Sequence, residues 1–194
     1  MLQVTMFAKF KKCLGDVSLI NALYDIRGGK YAHSVNLIRV YMDKGNPDAA
    51  EQLKKELPAI TLSATYQKKR LAAYITGYNP LIIIDFDDLP AADLSRLLDL
   101  ARQAVYTVAC WISPRGHGIK IIAYPAVRLP RTPDNHPAVF KLVKEWYEQL
   151  LGVAADASGS DIGRLCLLSY DPALFLSPLS LIHISEPTRL RRIS

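Results

Sequence analysis

The sequence predicts an α+β fold, and three observations predict it. Leu81-Ile82-Ile83-Ile84 is a run of four apolar residues, three of them β-branched, and reads as a buried strand that delivers Asp85, Phe86, Asp87 and Asp88 at its carboxyl end. Two more apolar stretches, 105–112 and 119–124, read as strands joined by the glycine-bearing loop Ser113-Pro114-Arg115-Gly116-His117-Gly118. Between the strand-like runs lie segments with helical apolar spacing, and no internal repeat is present, so strands with intervening helices form an α+β or mixed α/β pattern.

In chain order, Leu2 to Phe7 alternates enough to be a first strand, followed by the basic segment Lys9-Phe10-Lys11-Lys12. Asp16 or Ser18 caps a helix that carries Ile20, Leu23, Tyr24 and Ile26 and ends at Gly28-Gly29. A second helix is expected from about Tyr31 to Met42, and a short third one from Asp48 to Glu56, with Pro47 suited to its first turn. The run from Ala59 to Tyr66 reads as one strand, and Gln67-Lys68-Lys69-Arg70 follows it directly. Asn79-Pro80 is a turn signal before the acidic strand, and Pro90 to Ala104 is amphipathic through Leu94, Leu97, Leu98 and Ala101. Asn135-His136-Pro137 opens a helix whose apolar face holds Val139, Phe140, Leu142, Val143, Trp146, Tyr147 and Leu150. The polar stretch Asp156 to Asp161 then leads to a last strand, Arg164 to Ser169.

The length of 194 residues suits one domain with a real core. No apolar run approaches the ~20 residues of a membrane-spanning helix, and Met1 to Phe7 lacks the layout of a signal peptide. Cys13, Cys110 and Cys166 are odd in number, far apart and outside metal-ligand spacing, which fits reduced thiols in a cytoplasmic protein. The net charge of +6 suits an anionic partner such as nucleic acid or nucleotide. Residues 179–194, LSLIHISEPTRLRRIS, continue no periodicity of the domain and match the conceptual translation of a transposase-type sequencing adapter. They are expected to be foreign to the protein, against the competing reading of a basic RNA-binding tail. The natural domain is then expected to span residues 1–178 and to be cut on its C-terminal side. Arg189, Arg191 and Arg192 against Glu186 carry two of the six net positive charges.

Three motifs carry the chemistry. Strand alternation puts Asp85 and Asp87 on one face, and two carboxylates so close call for a cation between them, best a divalent one. The alternative is a strand running into an acidic surface turn. The second motif is SPRGHGIK, Ser113 to Lys120. Gly116 and Gly118 let the backbone approach an anion closely, while Arg115 and Lys120 add positive charge; the competing reading is a long hairpin turn. Its strand–loop–strand layout separates it from a Walker loop. His117, between the glycines, reads as an exposed residue before it reads as a ligand. The third motif is Asp156 with Asp161 and Arg164. Asp156 can complete a Mg²⁺ or Mn²⁺ site begun by Asp85 and Asp87, and Arg164 can pair with a phosphate or with Asp161. Lys68, Lys69 and Arg70 read either as a solvated turn or as a patch that contacts nucleic-acid phosphates.

This conjunction resembles the archaeo-eukaryotic primase superfamily, with its strand-borne Asp-x-Asp, its glycine-rich second motif containing serine, and its later acidic residue. Within that group the chain is most similar to the N-terminal domain of virulence-associated protein E, through Leu57 to Thr65, the acidic strand, SPRGHGIK, and Asp161-Ile162-Gly163-Arg164 through Pro172. The resemblance covers nearly everything from Val4 to Pro178. It implies a primase–polymerase-like (RRM-like) mixed or antiparallel sheet with flanking helices, a downstream helicase or ATPase module, and a role in replication of a phage, plasmid or transposon. Many catalytic primases carry a histidine where this chain has Lys120, so the sequence leaves two functions open.

In the first, Asp85, Asp87 and Asp156 hold Mg²⁺ or Mn²⁺, and Ser113, Arg115, Gly116, Gly118, Lys120 and Arg164 bind a nucleoside triphosphate, with Asp161 and His117 in support. Nucleotides are then joined on a single-stranded template. In the second, a primase-like module without chemistry delivers nucleic acid to the helicase, as Lys120 and the Lys68-Lys69-Arg70 patch favour. A haloacid-dehalogenase-type phosphatase is a lesser alternative, since LIIIDFDDLP matches that family's nucleophile strand superficially. About 80 residues precede it, however, where such a strand normally comes first.

Overall fold

A computed structural model describes residues 2–125 and 128–178, and the expectation for residues 179–194 lies outside them. Strand β1 (Gln3–Ala8) turns back as β2 (Lys12–Ser18), and three helices follow: α1 (Leu19–Arg27), α2 (Ala32–Asp43) and α3 (Pro47–Glu56). Next come β3 (Ala59–Thr61), β4 (Ala64–Tyr66), β5 (Ile75–Tyr78) and β6 (Ile82–Phe86). Helix α4 (Ala91–Gln103) leads to the hairpin of β7 (Thr107–Ile112) and β8 (Ile119–Ala123), then α5 (His136–Leu151), β9 (Leu165–Leu167) and β10 (Phe175–Leu176). All strand pairs among these residues are antiparallel, so the fold is α+β. One sheet runs β2-β1-β3-β9, a second β10-β7-β8-β6, and β4 pairs with β5.

The apolar pattern of each element explains the layering. β6 is buried along its whole length, as a run without alternation requires. Ile83 faces a core shared by α1 and both four-stranded sheets, with Leu23, Ile60, Val108 and Trp111. Ile82, Ile84 and Phe86 face the opposite way, onto α4 and α5 through Leu97, Leu98, Val139, Phe140 and Tyr147. Each such side chain, fully buried, stabilises the fold by about 1.5–3 kcal/mol. α2 and α3 cover the first sheet through Val35, Ile38, Ala50 and Leu57. Asn46 caps α3, its side chain accepting from the Ala49 N–H, with Pro47 in the first turn.

The structure departs from the sequence reading at several points. The expected strand 59–66 is two strands in two sheets. The Thr61 hydroxyl donates to the Ala64 carbonyl and the Ser63 hydroxyl to the Leu81 carbonyl, which bends the chain at Leu62-Ser63. The sequence does not signal β2, because Cys13, Gly15 and Val17 are only partly covered and the one buried residue, Ser18, is polar. Tyr24 and Leu142, placed on apolar helix faces by spacing, are exposed.

His136 starts α5 and is completely buried. Its Nε2–H donates to the Gly159 carbonyl (3.4 Å) and its Nδ1 lies 3.2 Å from the Tyr78 hydroxyl, so a neutral ring ties α5 to β5 and to the one-turn 3₁₀ segment Ala157–Ser160. Burial holds the imidazole below its usual pKa, and the Gly159 carbonyl offsets this only in part. The folded state therefore binds fewer protons than the unfolded chain once the pH drops below about 6.5. Stability is full above that value and declines as the pH falls through the depressed folded value. Thermal melts from pH 7.5 downward should fall more steeply for wild type than for His136→Gln; parallel curves would remove His136 as the cause.

Candidate functional site

The site forms where the carboxyl end of β6 meets the β7–β8 turn. Register pairs Asp85 with Lys120, and Lys120 with Trp111, so Lys120 stands between an acid and an indole on three adjacent strands. Lys120 Nζ donates to Asp85 Oδ1 at 2.7 Å, with side-chain exposures of 10% and 7%. Burial works against the ammonium, but the Asp85 carboxylate beside it raises the Lys120 pKa above the ordinary lysine value. The Asp156 N–H donates to the Asp85 carbonyl (2.9 Å), which docks the third motif onto the first. Arg164 bridges their side chains, 2.8 Å from Asp156 Oδ2 and 3.5 Å from Asp85 Oδ2. Ser158 caps the other side of Asp156 through its N–H and hydroxyl. Burial alone would raise the Asp156 pKa, but these bonds and Arg164 bring it below the usual aspartate range.

The Ser113–Gly118 loop closes on itself. The Ser113 N–H donates to the Gly118 carbonyl and the Gly116 N–H to the Ser113 carbonyl. Gly116 is left-handed at φ +86°, a conformation that glycine adopts without penalty. From below, Arg39 donates to the Ser113 carbonyl (3.3 Å) and the Tyr170 carbonyl (2.9 Å). Arg115 reaches across to Glu51 on α3.

Asp85, Asp87, Ser113, Arg115, Lys120 and Arg164 line one pocket of about 70 Å³. That is well above the roughly 10–15 Å³ that one water requires, so the pocket has room for a few waters or a small ligand group. All three motifs thus meet, although their residues are spread over some 80 positions. Lys54, from the last turn of α3, lines the pocket too and was missed from the sequence, as was Glu51. In the sequence, Glu51 to Glu56 looks like an ordinary solvated helix face. Burial holds the Lys54 pKa below the usual value, as do Arg115 and Lys120, against the opposing pull of Glu51 and Asp87. Arg115 Nε and Arg164 Nε are buried N–H donors without a hydrogen-bond partner. Four cations line the pocket against Asp85 and Asp87, and the two guanidinium Nε–H groups still lack an acceptor.

The remaining expected residues lie outside the pocket. Gly116 rests on Arg39, and Gly118 sits under the Phe86 carbonyl. His117 contributes its backbone carbonyl, which accepts from the Leu89 N–H. Asp161 is exposed and accepts from the Gly163 N–H, and its side chain neighbours Arg70, not Arg164. Lys68, Lys69 and Arg70 are exposed; Arg70 lines a groove next to the pocket, while Lys68 lies beside Cys13 and Asp16.

The model of one protein family, the BT4734-like N-terminal domain, matches residues 52–176. The chain belongs to that family. The matched span runs from α3 to β10 and includes every residue that lines the pocket. No curated protein and no solved structure matches the chain. Among the described residues, no helix is long and apolar enough to cross a membrane.

The donor set of this BT4734-like domain fits a divalent cation poorly as arranged. Each Asp85 oxygen faces a side-chain cation, and both Asp156 oxygens are engaged by Ser158 and Arg164. Asp87, exposed at the pocket mouth, is the one carboxylate of the three without such a partner among the described residues. Lys120 holds one Asp85 oxygen, and Arg164 spans the other and Asp156.

Proposed function

We propose that this domain is a primase–polymerase-like module that binds phosphate groups of nucleotide or single-stranded nucleic acid without doing chemistry on them. The observation that carries this reading is Lys120, bonded to Asp85 where a metal-dependent site would leave the carboxylate open. Its natural setting is replication of a mobile element in the cytoplasm, ahead of a helicase or ATPase module. Arg115, Lys54, Arg164 and Lys120 supply the charge, and Ser113 and Pro114 bring the start of the loop to the pocket wall. Because the cations are built in, binding needs no Mg²⁺.

The second reading is nucleotidyl transfer with Mg²⁺ or Mn²⁺ held by Asp85, Asp87 and Asp156. The Asp156 N–H bond to the Asp85 carbonyl favours it, since that bond brings the third carboxylate to the other two. It requires Lys120 and Arg164 to release Asp85.

One experiment separates them. A labelled nucleoside triphosphate should bind in EDTA, and Arg115→Ala with Lys54→Ala should weaken it by about tenfold or more, the worth of a lost charged hydrogen bond. No nucleotide should be incorporated with Mg²⁺ or Mn²⁺ on a primed or bare template. Incorporation abolished by Asp87→Asn would establish the second reading, and absence of triphosphate binding in EDTA would defeat the first.

A further inference from the structure

We propose that the groove beside the pocket is the path of a single nucleic-acid strand, with Phe10 as the platform on which a base stacks. This inference rests on the phosphate-binding function proposed above and extends it to a second site. The groove encloses about 600 Å³ and is lined by Phe10, Lys54, Arg70 and Arg164 among others. Lys54 and Arg164, with Leu165 and Leu167, also line the phosphate pocket, so groove and pocket adjoin. A strand lying in the groove would reach the pocket with one phosphate.

Phe10 occupies the tip of the β1–β2 hairpin with φ +63°, after Lys9 at φ +49°. A phenylalanine in left-handed backbone is uncommon, and turns of this kind ordinarily take glycine or asparagine. Such outliers concentrate at binding sites, where the surroundings hold them in place. The ring is half-buried against the α2–α3 cluster and half-open to the groove. Lys9, Lys11 and Lys12 flank it in the chain, with Lys9 paired to Glu56 (2.8 Å). Across the groove, Arg70 is held by the Gly163 carbonyl (2.9 Å) and Asp161 (3.9 Å). The acids of the groove are already matched: Glu51 by Arg115 and Lys54, Asp161 by Arg70. With Lys54, Arg70 and Arg164 against Glu51 and Asp161 the lining is net positive, and net positive charge beside an aromatic face is the combination that binds single strands, the cations following the backbone and the ring taking a base. An acidic peptide would use the charge and leave the ring without purpose.

The test compares short oligothymidylate with an abasic strand of the same length and charge, by fluorescence anisotropy on the full chain. Wild type should prefer the base-bearing strand by about tenfold. Phe10→Ala should erase that preference, and Phe10→Trp should keep it. Wild type without a preference, or Phe10→Ala retaining it, overturns the inference, as does a polyglutamate peptide that binds as tightly as the oligothymidylate. Triphosphate binding measured alongside reports the pocket. If the triphosphate binds in EDTA but the base preference is absent, the groove assignment alone falls; if neither triphosphate nor oligonucleotide binds, the phosphate-binding function falls with it.

Discussion

Asp85→Asn should destabilise this domain by about 3 kcal/mol or more. Removing one partner of a buried ion pair leaves the other charge uncompensated, at a typical cost of 3–5 kcal/mol. Here the residue left behind is Lys120, whose charge burial opposes and Asp85 supports most strongly. Arg164 would keep Asp156 and lose its contact to Asp85. For a chain of this size, ~3 kcal/mol corresponds to a drop in Tm of roughly 6–12 °C. Lys120→Met should cost less, because Arg164 still faces Asp85. The double variant Asp85→Asn with Lys120→Met should recover a large part of the loss, since replacing both partners of a buried pair is often neutral. The raised Lys120 pKa sets the pH dependence. The pair's contribution is complete below the unfolded lysine value of about 10.4 and disappears as the pH rises through the higher folded value. Additive single and double variants in urea melts, or an Asp85→Asn protein as stable as wild type, would remove the pair from the list of structural supports.

This pair also marks where sequence reasoning stops. The run Leu81–Ile84 signalled a buried strand because nothing in it tolerates water, and strand alternation put Asp85 and Asp87 toward the same pocket. The glycines of SPRGHGIK signalled a tight loop between strands because few other contexts require them so close together. Local pattern could not supply register. That Lys120 lies opposite Asp85 follows from the pairing of β6 with β8, set 35 positions apart in the chain by how α4 and the β7–β8 hairpin return. The contribution of α3 was hidden for the same reason: Glu51 and Lys54 meet Arg115 from 60 or more residues away. Of the histidines, His117 stands out by its glycine neighbours yet reads first as an exposed loop residue, whereas the buried one is His136, whose polar partners on β5 and the 3₁₀ turn no linear motif announces. The primase-like reading still rests on motif order; the family match to the BT4734-like N-terminal domain covers the same motifs without naming a chemistry.

Gly118→Ala should damage both stability and binding, for a reason confined to the loop. Gly118 has an ordinary φ, so an alanine there meets no backbone strain. Its Cβ, however, would lie 2.5 Å from the Phe86 carbonyl oxygen, 3.0 Å from Ser113 Oγ and 3.3 Å from Asp87 Oδ1. The first of these is backbone, and Phe86 is fixed by its pairing with Ile119 and by its own burial. The loop must therefore move away from β6, which strains the bond between the Ser113 N–H and the Gly118 carbonyl. Overpacking of this kind costs about 1–3 kcal/mol, and here it also separates Asp87 from Arg115 and Ser113 across the pocket. Triphosphate binding in EDTA should fall by more than about tenfold, the effect of losing one charged hydrogen bond. Gly45→Ala is the informative comparison. Gly45 lies between α2 and α3 with φ +68° and nothing within 4 Å of a new Cβ, so its cost is conformational, about 1 kcal/mol, and remote from the pocket. A Gly118→Ala protein that melts no lower than Gly45→Ala and binds the triphosphate as wild type would mean that the loop yields freely. The pocket would then owe its shape to Lys120 and Arg164 rather than to the close approach of the loop to β6.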